Sequence, residues 1–299
     1  MIAARPPISI CVGTAAGWPA IEPCIRSFLE EARGVGAEIL VADGSGRPPP
    51  DAPEITSAVT WTSLDERSVF RLVAANVRQA RGDVVAMTED HCTARPGWVA
   101  AMLRAHAEYP DAAAIGGAIE NEATGTSALR WASHLMTQGA HMAPLANGPA
   151  GHIANEANIS YKRWALADVE PHPLGFMTIR HTRALADRGE QLVNDDRIVV
   201  DHHESLSPTA TTVIHFDDGR TVAGFRRRHM GIGDWVRIVG SPVLPLYRTA
   251  RVVRNAATKG RRQTAIRALP WLLVLEYAHA VGEFIGYVRG AGRSPYGLR

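Results

Sequence analysis

An α/β fold is predicted, with a mainly parallel sheet flanked by helices and a C-terminal helical extension; three features of the sequence point to it. Short apolar runs alternate with segments of helical periodicity from Ile8 to Ile119. Several of those runs end in acidic or glycine-containing turns, as strands do when they feed the ligand edge of an open sheet. The chain then changes character: residues 225–299 hold 14 Lys and Arg against three acidic residues.

The elements follow in order. Residues 8–14 and 38–42 are strand-length apolar runs, and between them Ile21, Ile25, Phe28, Leu29 and Ala32 recur at helical spacing. The second run ends in Asp43-Gly44-Ser45-Gly46, and a proline-rich loop through Pro53 follows, leaving Asp43 at a strand end. A helix over roughly 66–81 carries Val69, Leu72, Val73, Asn76 and Ala80, with Gly82 as its stop signal. Strand Val84–Thr88 then runs directly into Glu89-Asp90-His91.

Pro96 and Gly97 introduce a helix from Trp98 to about Glu108, and Ala112–Ile119 reads as another strand. Residues 120–165 are less regular, with turns marked by Gly148, Gly151 and Asn158. Further on, the pattern predicts a helix over Thr178–Arg188 and a strand over Arg197–Asp201. A hairpin is expected to pair Thr211–Phe216 with Arg220–Gly224 around Asp217-Asp218-Gly219. One large domain over residues 1–235 and a basic helical region over 236–299 is the expected organisation.

Composition narrows the function classes. Hydrophobic residues at 46% and charged residues at 21% exclude collagen-like and largely disordered chains. Cys11, Cys24 and Cys92 are too few and too irregularly spaced for a disulfide scaffold or a cysteine-based zinc site, so a reducing compartment is expected. The early run ISICVGTA is too short for a signal peptide and reads as the first core strand. A net charge of +2 conceals an acidic first part and the basic end, which favours an anionic membrane surface or a phosphate-rich ligand. No recognition motif accompanies the charge, and no nucleic-acid partner is expected.

Glu89-Asp90-His91 is the sharpest local feature, because oxygen and imidazole donors follow an apolar strand. Glu89 and His91 share one side if the strand continues, whereas Asp90 faces elsewhere unless the turn rotates it. Mg2+ prefers oxygen, and Mn2+ accepts mixed oxygen and imidazole ligation. The plain alternative is a strand end or a helix cap. Asp43 could reach a nucleotide ribose or base from its own strand end, or simply close an Asx-turn.

Taken together these segments resemble the family 2 glycosyltransferases, whose nucleotide-binding domain has a GT-A fold. The resemblance covers most of residues 8–235. Ile39-Leu40-Val41-Ala42-Asp43-Gly44-Ser45 resembles the acidic nucleotide-binding turn, with Ala42 in place of a commonly acidic residue. Asn76 to Asp83 resembles the helix before the metal motif, and Glu89-Asp90-His91 resembles a variant of that motif. Pro96-Gly97-Trp98, Gly116-Gly117 and Asn158-Ile159-Ser160-Tyr161-Lys162-Arg163 continue the match.

The resemblance implies an inverting transfer from a nucleoside-diphosphate sugar to a saccharide or lipid-linked acceptor, with Mn2+ or Mg2+ held by Glu89, Asp90 and His91. Asp43 and Asp90 would serve the donor. A histidine of the Asp201-His202-His203 stretch would lie near the metal, and since the two side chains point oppositely on a strand, His203 is the one expected. Arg226 and Arg228 would neutralise the diphosphate, unless Arg226-Arg227-Arg228-His229 is a solvated or membrane-facing charge run.

Met177 stands where the family places its acidic base, and a thioether cannot take a proton. Asp168 and Glu170 are the nearest earlier carboxylates, with Glu170 favoured. His181 is expected to be structural or to position phosphate or acceptor. The departure at Met177 keeps a catalytically degenerate nucleotide-sugar-binding or assembly protein open, and a nucleotidyltransferase is the third reading.

From Leu269 to Val288 the chain is strongly apolar, with Glu276, His279 and Glu283 grouped on one helical face. With Arg248, Arg251, Arg254, Lys259, Arg261, Arg262 and Arg267 upstream, an in-plane helix on an anionic membrane is expected, peripheral on the cytoplasmic face. A homodimer interface is the alternative use of that helix.

Overall fold

The computed structural model describes residues 5–122, 127–167, 175–203, 207–227 and 230–297. Its first elements are β1 (Ile8–Thr14), α1 (Glu22–Ala32), β2 (Glu38–Asp43), α2 (Pro53–Thr56), β3 (Val59–Ser63), α3 (Val69–Gln79) and β4 (Val84–Glu89). Next come β5 (Cys92–Ala94), α4 (Trp98–Glu108), β6 (Ala112–Asn121), α5 (Ala128–Thr137), β7 (Gly148–Pro149), β8 (Ile159–Lys162), α6 (Thr178–Asp187) and β9 (Gln191–His202). Helices α7 (Pro208–Arg226), α8 (Ile232–Gly240), α9 (Leu244–Thr258) and α10 (Arg262–Arg289) follow.

The chain divides into two compact units, residues 1–120 with 143–203, and residues 121–142 with 204–298. This differs from the expected division at residue 235, because α5 and α7 pack with the C-terminal helices.

In the first unit the described strands form one mixed, mainly parallel sheet in the order β3-β2-β1-β4-β8-β6-β9-β5, with β7 on β9. Strands β1 to β4 pair in parallel, and β8 runs antiparallel between β4 and β6. The central strands are covered on both faces, which is why β1 reads as a continuous apolar run rather than an alternating one. Register aligns Thr14 with Asp43 and Gly13 with Glu89, so three neighbouring strands deliver these residues to one edge.

The motifs scattered along the sequence converge on Asn158. Its amide nitrogen donates to the carbonyls of Ala118 and Ile198 at 2.8 and 2.9 Å, and its oxygen accepts from Trp98 Nε1 at 2.9 Å. A Cβ at Gly117 would collide with that amide and with the Ile198 carbonyl, which accounts for glycine there. Trp98 is buried edge-on against Phe28, at 5.0 Å between ring centroids. Asn76, also buried, donates to the Val12 carbonyl at 2.9 Å and fastens α3 to β1.

In the helical unit, the hairpin expected around Asp217-Asp218-Gly219 is instead the interior of α7. Ser207 caps this helix by accepting from Ala210 N, and Pro208 occupies the first turn, a start signal that outranks the turn-like triplet. Gly219 lies where α7 meets α10: a Cβ there would overlap the His279 carbonyl, and one at Gly282 would overlap the Phe216 carbonyl. The two backbones approach closely because these positions carry no side chain.

Helix α10 packs its polar face inward. Glu283 accepts from Arg248 at 2.6 Å and lies 3.7 Å from Arg226, while His279 meets Asp218 at 3.3 Å. Tyr287 donates to Asp234 at 2.6 Å. Glu276 is buried, and desolvation raises its pKa above the usual carboxylate range. Exposed instead are Val274, Tyr277, Val281, Phe284 and Val288, which repeat at three- and four-residue steps along one face. By length and composition α10 is apolar enough to cross a membrane.

Replacing Gly282 by Val should lower the unfolding free energy by about 1–3 kcal/mol, since the added atoms must push α7 away. Gly151→Ala, with open space around its Cβ position, should change it by less than about 0.5 kcal/mol. Urea denaturation of both variants measures this, and equal stability would contradict the close-packed α7–α10 contact.

Candidate metal centre

Glu89 ends β4, His91 follows in the turn to β5, and His202 ends β9. Antiparallel pairing sets Cys92 against His202, so the tip of β9 returns to the end of β4. The result is a cluster in which His91 Nε2 and His202 Nε2 lie 2.9 Å apart, each 3.3 Å from Glu89 Oε2. Among the described residues this is the group of three donors that could hold a metal ion, all within 4.8 Å of one another.

These separations suit a cation. Ligands at right angles around an ion at about 2.1 Å stand about 3 Å from one another. Two imidazoles and one carboxylate favour Mn2+ over Mg2+, which takes oxygen by preference.

Asp90 supports the cluster from behind. Its Oδ1 lies 2.9 Å from His91 Nδ1, and its Oδ2 accepts from Thr14 Oγ1 at 2.6 Å. Thr14 Oγ1 in turn accepts from the backbone nitrogens of Ala16 and Gly17 at 3.1 and 3.0 Å. A carboxylate on the far nitrogen fixes the tautomer and directs Nε2 at the centre. The turn therefore rotates Asp90 towards His91 rather than into the donor set.

The electrostatics follow from the same contacts. Burial penalises the charge on Glu89, but hydrogen bonds and charge from His202 and His91 together outweigh it and hold the carboxyl well below its usual range. Burial also acts against a charged His91, yet the bonds to Asp90 and Glu89 prevail and raise its pKa to about 10. The pocket is thus arranged around one positive charge, which a proton or a metal ion can supply.

His203, the residue expected from the sequence, does not join the cluster. Its ring lies 2.7 Å from Thr93 Oγ1, and its backbone nitrogen donates to the His91 carbonyl at 2.9 Å. The strand continues through His202, which follows Ile198 and Val200 onto the buried face, and His203 takes the opposite side. The signal was present in Arg197 and Asp201, which mark the outward parity, but Val199 blurs it.

Asp43 is 1% exposed, and its carboxylate accepts from Ser45 N at 2.8 Å and Trp61 Nε1 at 3.2 Å. It forms the Asx-turn that was its plainer reading, level with Thr14 at the sheet edge. Arg226 belongs to α7, where it pairs with Glu283. Asp168, Glu170 and Arg228 lie outside the described residues. His181 is structural: it is buried and its Nε2 bonds the Ala165 carbonyl at 2.8 Å. Met177 caps α6 with no side-chain hydrogen bond to the helix. Thr14 escaped the sequence reading, since a lone threonine at a strand end carries no motif.

No family model matches the chain. A glucosyl-dolichyl phosphate glucuronosyltransferase of Haloferax volcanii is 24% identical over 116 residues, covering 38% of this chain and 37% of that protein. The match therefore spans little more than a third of that relative. Among solved structures, a mannosyltransferase from Pyrobaculum calidifontis in complex with GDP-Man and Mn2+ superposes with a TM-score of 0.60 at 14% identity, over 96% of this chain and 88% of that one. The fold is GT-A-like, a mixed, mainly parallel sheet flanked by helices with a C-terminal helical extension.

Isothermal titration with MnCl2 should show one site that binds Mn2+ more tightly than Mg2+. Glu89→Ala and His202→Ala should weaken it at least about tenfold, and Asp90→Asn about 10- to 100-fold by releasing His91. His203→Ala should stay within about twofold of the parent, because its ring faces Thr93. Equal losses in the His202 and His203 variants would contradict the assignment.

Proposed function

We propose that this chain is an inverting, metal-dependent glycosyltransferase that moves a sugar from a nucleoside-diphosphate sugar to a saccharide or lipid-linked acceptor. The observation that carries the reading is the Glu89–His91–His202 cluster at the C-terminal edge of a GT-A-like sheet, where ligands gather in open α/β folds. The structural neighbour solved with GDP-Man and Mn2+, and the glucuronosyltransferase similar over part of its length, support the same chemistry. The inverting outcome rests on the motif resemblance.

In this reading Glu89, His91 and His202 hold Mn2+ or Mg2+, Asp90 and Thr14 keep His91 aimed, and Asp43 shapes the neighbouring strand end for the nucleotide. A divalent ion in that position supplies positive charge against the departing diphosphate. The chain's own contribution is pre-organisation: the donor atoms are fixed by strand register and by buried hydrogen bonds, and little needs to move when a ligand arrives.

Met177 favours a second reading, a protein that binds a nucleotide sugar without transferring it, because the first turn of α6 holds no acidic residue and its one imidazole, His181, is turned to the Ala165 carbonyl. A panel of GDP-mannose, UDP-glucose and UDP-glucuronic acid with Mn2+ and alkyl glycoside acceptors, followed by mass-resolved product analysis, separates the two. The transferase reading expects glycosylated acceptor and an equal amount of nucleoside diphosphate. Saturable binding without product supports the binding protein, and released pyrophosphate would indicate nucleotidyl transfer.

The helical unit suits peripheral attachment to the anionic cytoplasmic face of a membrane. Basic residues on α9 and at the start of α10 supply attraction, and the exposed stripe from Val274 to Val288 supplies apolar surface. Glu276 and Glu283 are buried within the unit, so the stripe is free of acids. Val281→Asp with Phe284→Asp should reduce flotation with phosphatidylserine-containing vesicles at least about fivefold, and raised salt should weaken the parent's attachment. Unchanged recovery at every salt concentration would leave a protein interface as the use of this face.

A further inference from the structure

We propose that Glu156 takes the proton from the acceptor hydroxyl, an inference that rests on the glycosyl-transfer reading above. At the start of α6 the chain offers Met177 and Thr178, neither of which is a base at neutral pH, and His181, one turn on, is buried with its Nε2 on the Ala165 carbonyl. The fold brings a carboxylate there from elsewhere: Thr178 Oγ1 donates to Glu156 Oε2, across 22 residues of sequence.

The segment that carries Glu156 is anchored at the metal end of the sheet. Antiparallel pairing sets Met87 of β4 against Ile159 of β8, so the residues just before Ile159 run out past the end of β4, where Glu89 stands. Ala157, next to Glu156, accepts from Thr88 Oγ1 at 3.1 Å, and Thr88 immediately precedes Glu89. On its other side Asn155 turns its side-chain oxygen to Ala157 N at 3.1 Å. Asn158 is locked by its three bonds to Trp98, Ala118 and Ile198.

Glu156 is thus a partly exposed carboxylate on a pinned turn, joining the strand that ends in Glu89 to the helix that begins at Thr178. The Thr178 hydroxyl fixes one carboxylate oxygen and so orients the group. An ionised carboxylate is acceptor-only, which is the state a base requires.

In the step assigned to it, the acceptor oxygen bonds to the anomeric carbon as the bond from that carbon to the diphosphate oxygen breaks. The bonding pair leaves on the diphosphate, and the hydroxyl proton passes to the Glu156 carboxylate. Nothing local in the sequence links Glu156 to α6; the link is the hydrogen bond from Thr178.

The full-length chain with Mn2+ is assayed with GDP-mannose, UDP-glucose and UDP-glucuronic acid as donors, and with octyl glucoside, octyl mannoside and decyl phosphate as acceptors. Glu156→Gln should lower kcat towards the octyl glycosides at least about 100-fold, with the donor KM within about threefold of the parent. Glu156→Asp, which keeps a carboxylate, should retain more activity than Glu156→Gln. Donor and Mn2+ binding by calorimetry shows that each variant is folded. A Glu156→Gln variant with more than a tenth of parental kcat overturns the base role while leaving the transferase reading intact. The role is also overturned if that variant loses donor binding in step with activity, or if the parent uses decyl phosphate alone, an acceptor already ionised. A parent chain that binds these donors yet transfers to none of the three acceptors defeats the reading itself, and the inference with it.

Discussion

Two imidazole nitrogens 2.9 Å apart, facing one carboxylate oxygen 3.3 Å from each, form an arrangement that needs positive charge at its centre. Without it the lone pairs would repel one another in a partly desolvated site. The fold enforces this convergence. β4 carries Glu89 to the sheet edge, the short turn brings His91 back beside it, and β9 returns antiparallel to β5 so that His202 closes the group. Asp90 and Thr14 then fix the ring of His91 from outside.

The rest of the first unit serves to hold that edge. Parallel register places Asp43, Thr14 and Glu89 side by side on neighbouring strands. Asn158 ties β6, β9 and α4 together, and Ala157 beside it is tied to Thr88. The same buried polar residues that stabilise the sheet therefore set the positions of the charged ones. The helical unit solves a different problem: glycines let α7 and α10 approach, their facing polar groups pair internally, and an acid-free apolar stripe remains outside.

Local sequence signals were enough for β1, β2 and β4 and for α1, α3 and α4, because continuous apolar runs and helical periodicity are visible within ten residues, whereas β3, with alternating polar residues, was not marked by such a run. Glu89 and His91 were legible for the same reason, being adjacent and at a strand end. What escaped depended on contacts distant in sequence. Gly219 looks like a turn until its packing against the His279 carbonyl is known. The choice of His202 over His203 is decided by pairing with Cys92. Asp43 gave its Asx-turn away locally, whereas its bond from Trp61 did not.

The role of the Glu89–His91–His202 cluster depends on where a cation binds. Crystals grown with Mn2+ and a nucleoside diphosphate, measured at the manganese absorption edge, locate the ion directly by anomalous scattering. The expected result is a peak bonded to Glu89 Oε2, His91 Nε2 and His202 Nε2, with His203 still turned to Thr93. A peak at another group of residues, with these three side chains left as an ion-free cluster, would contradict it.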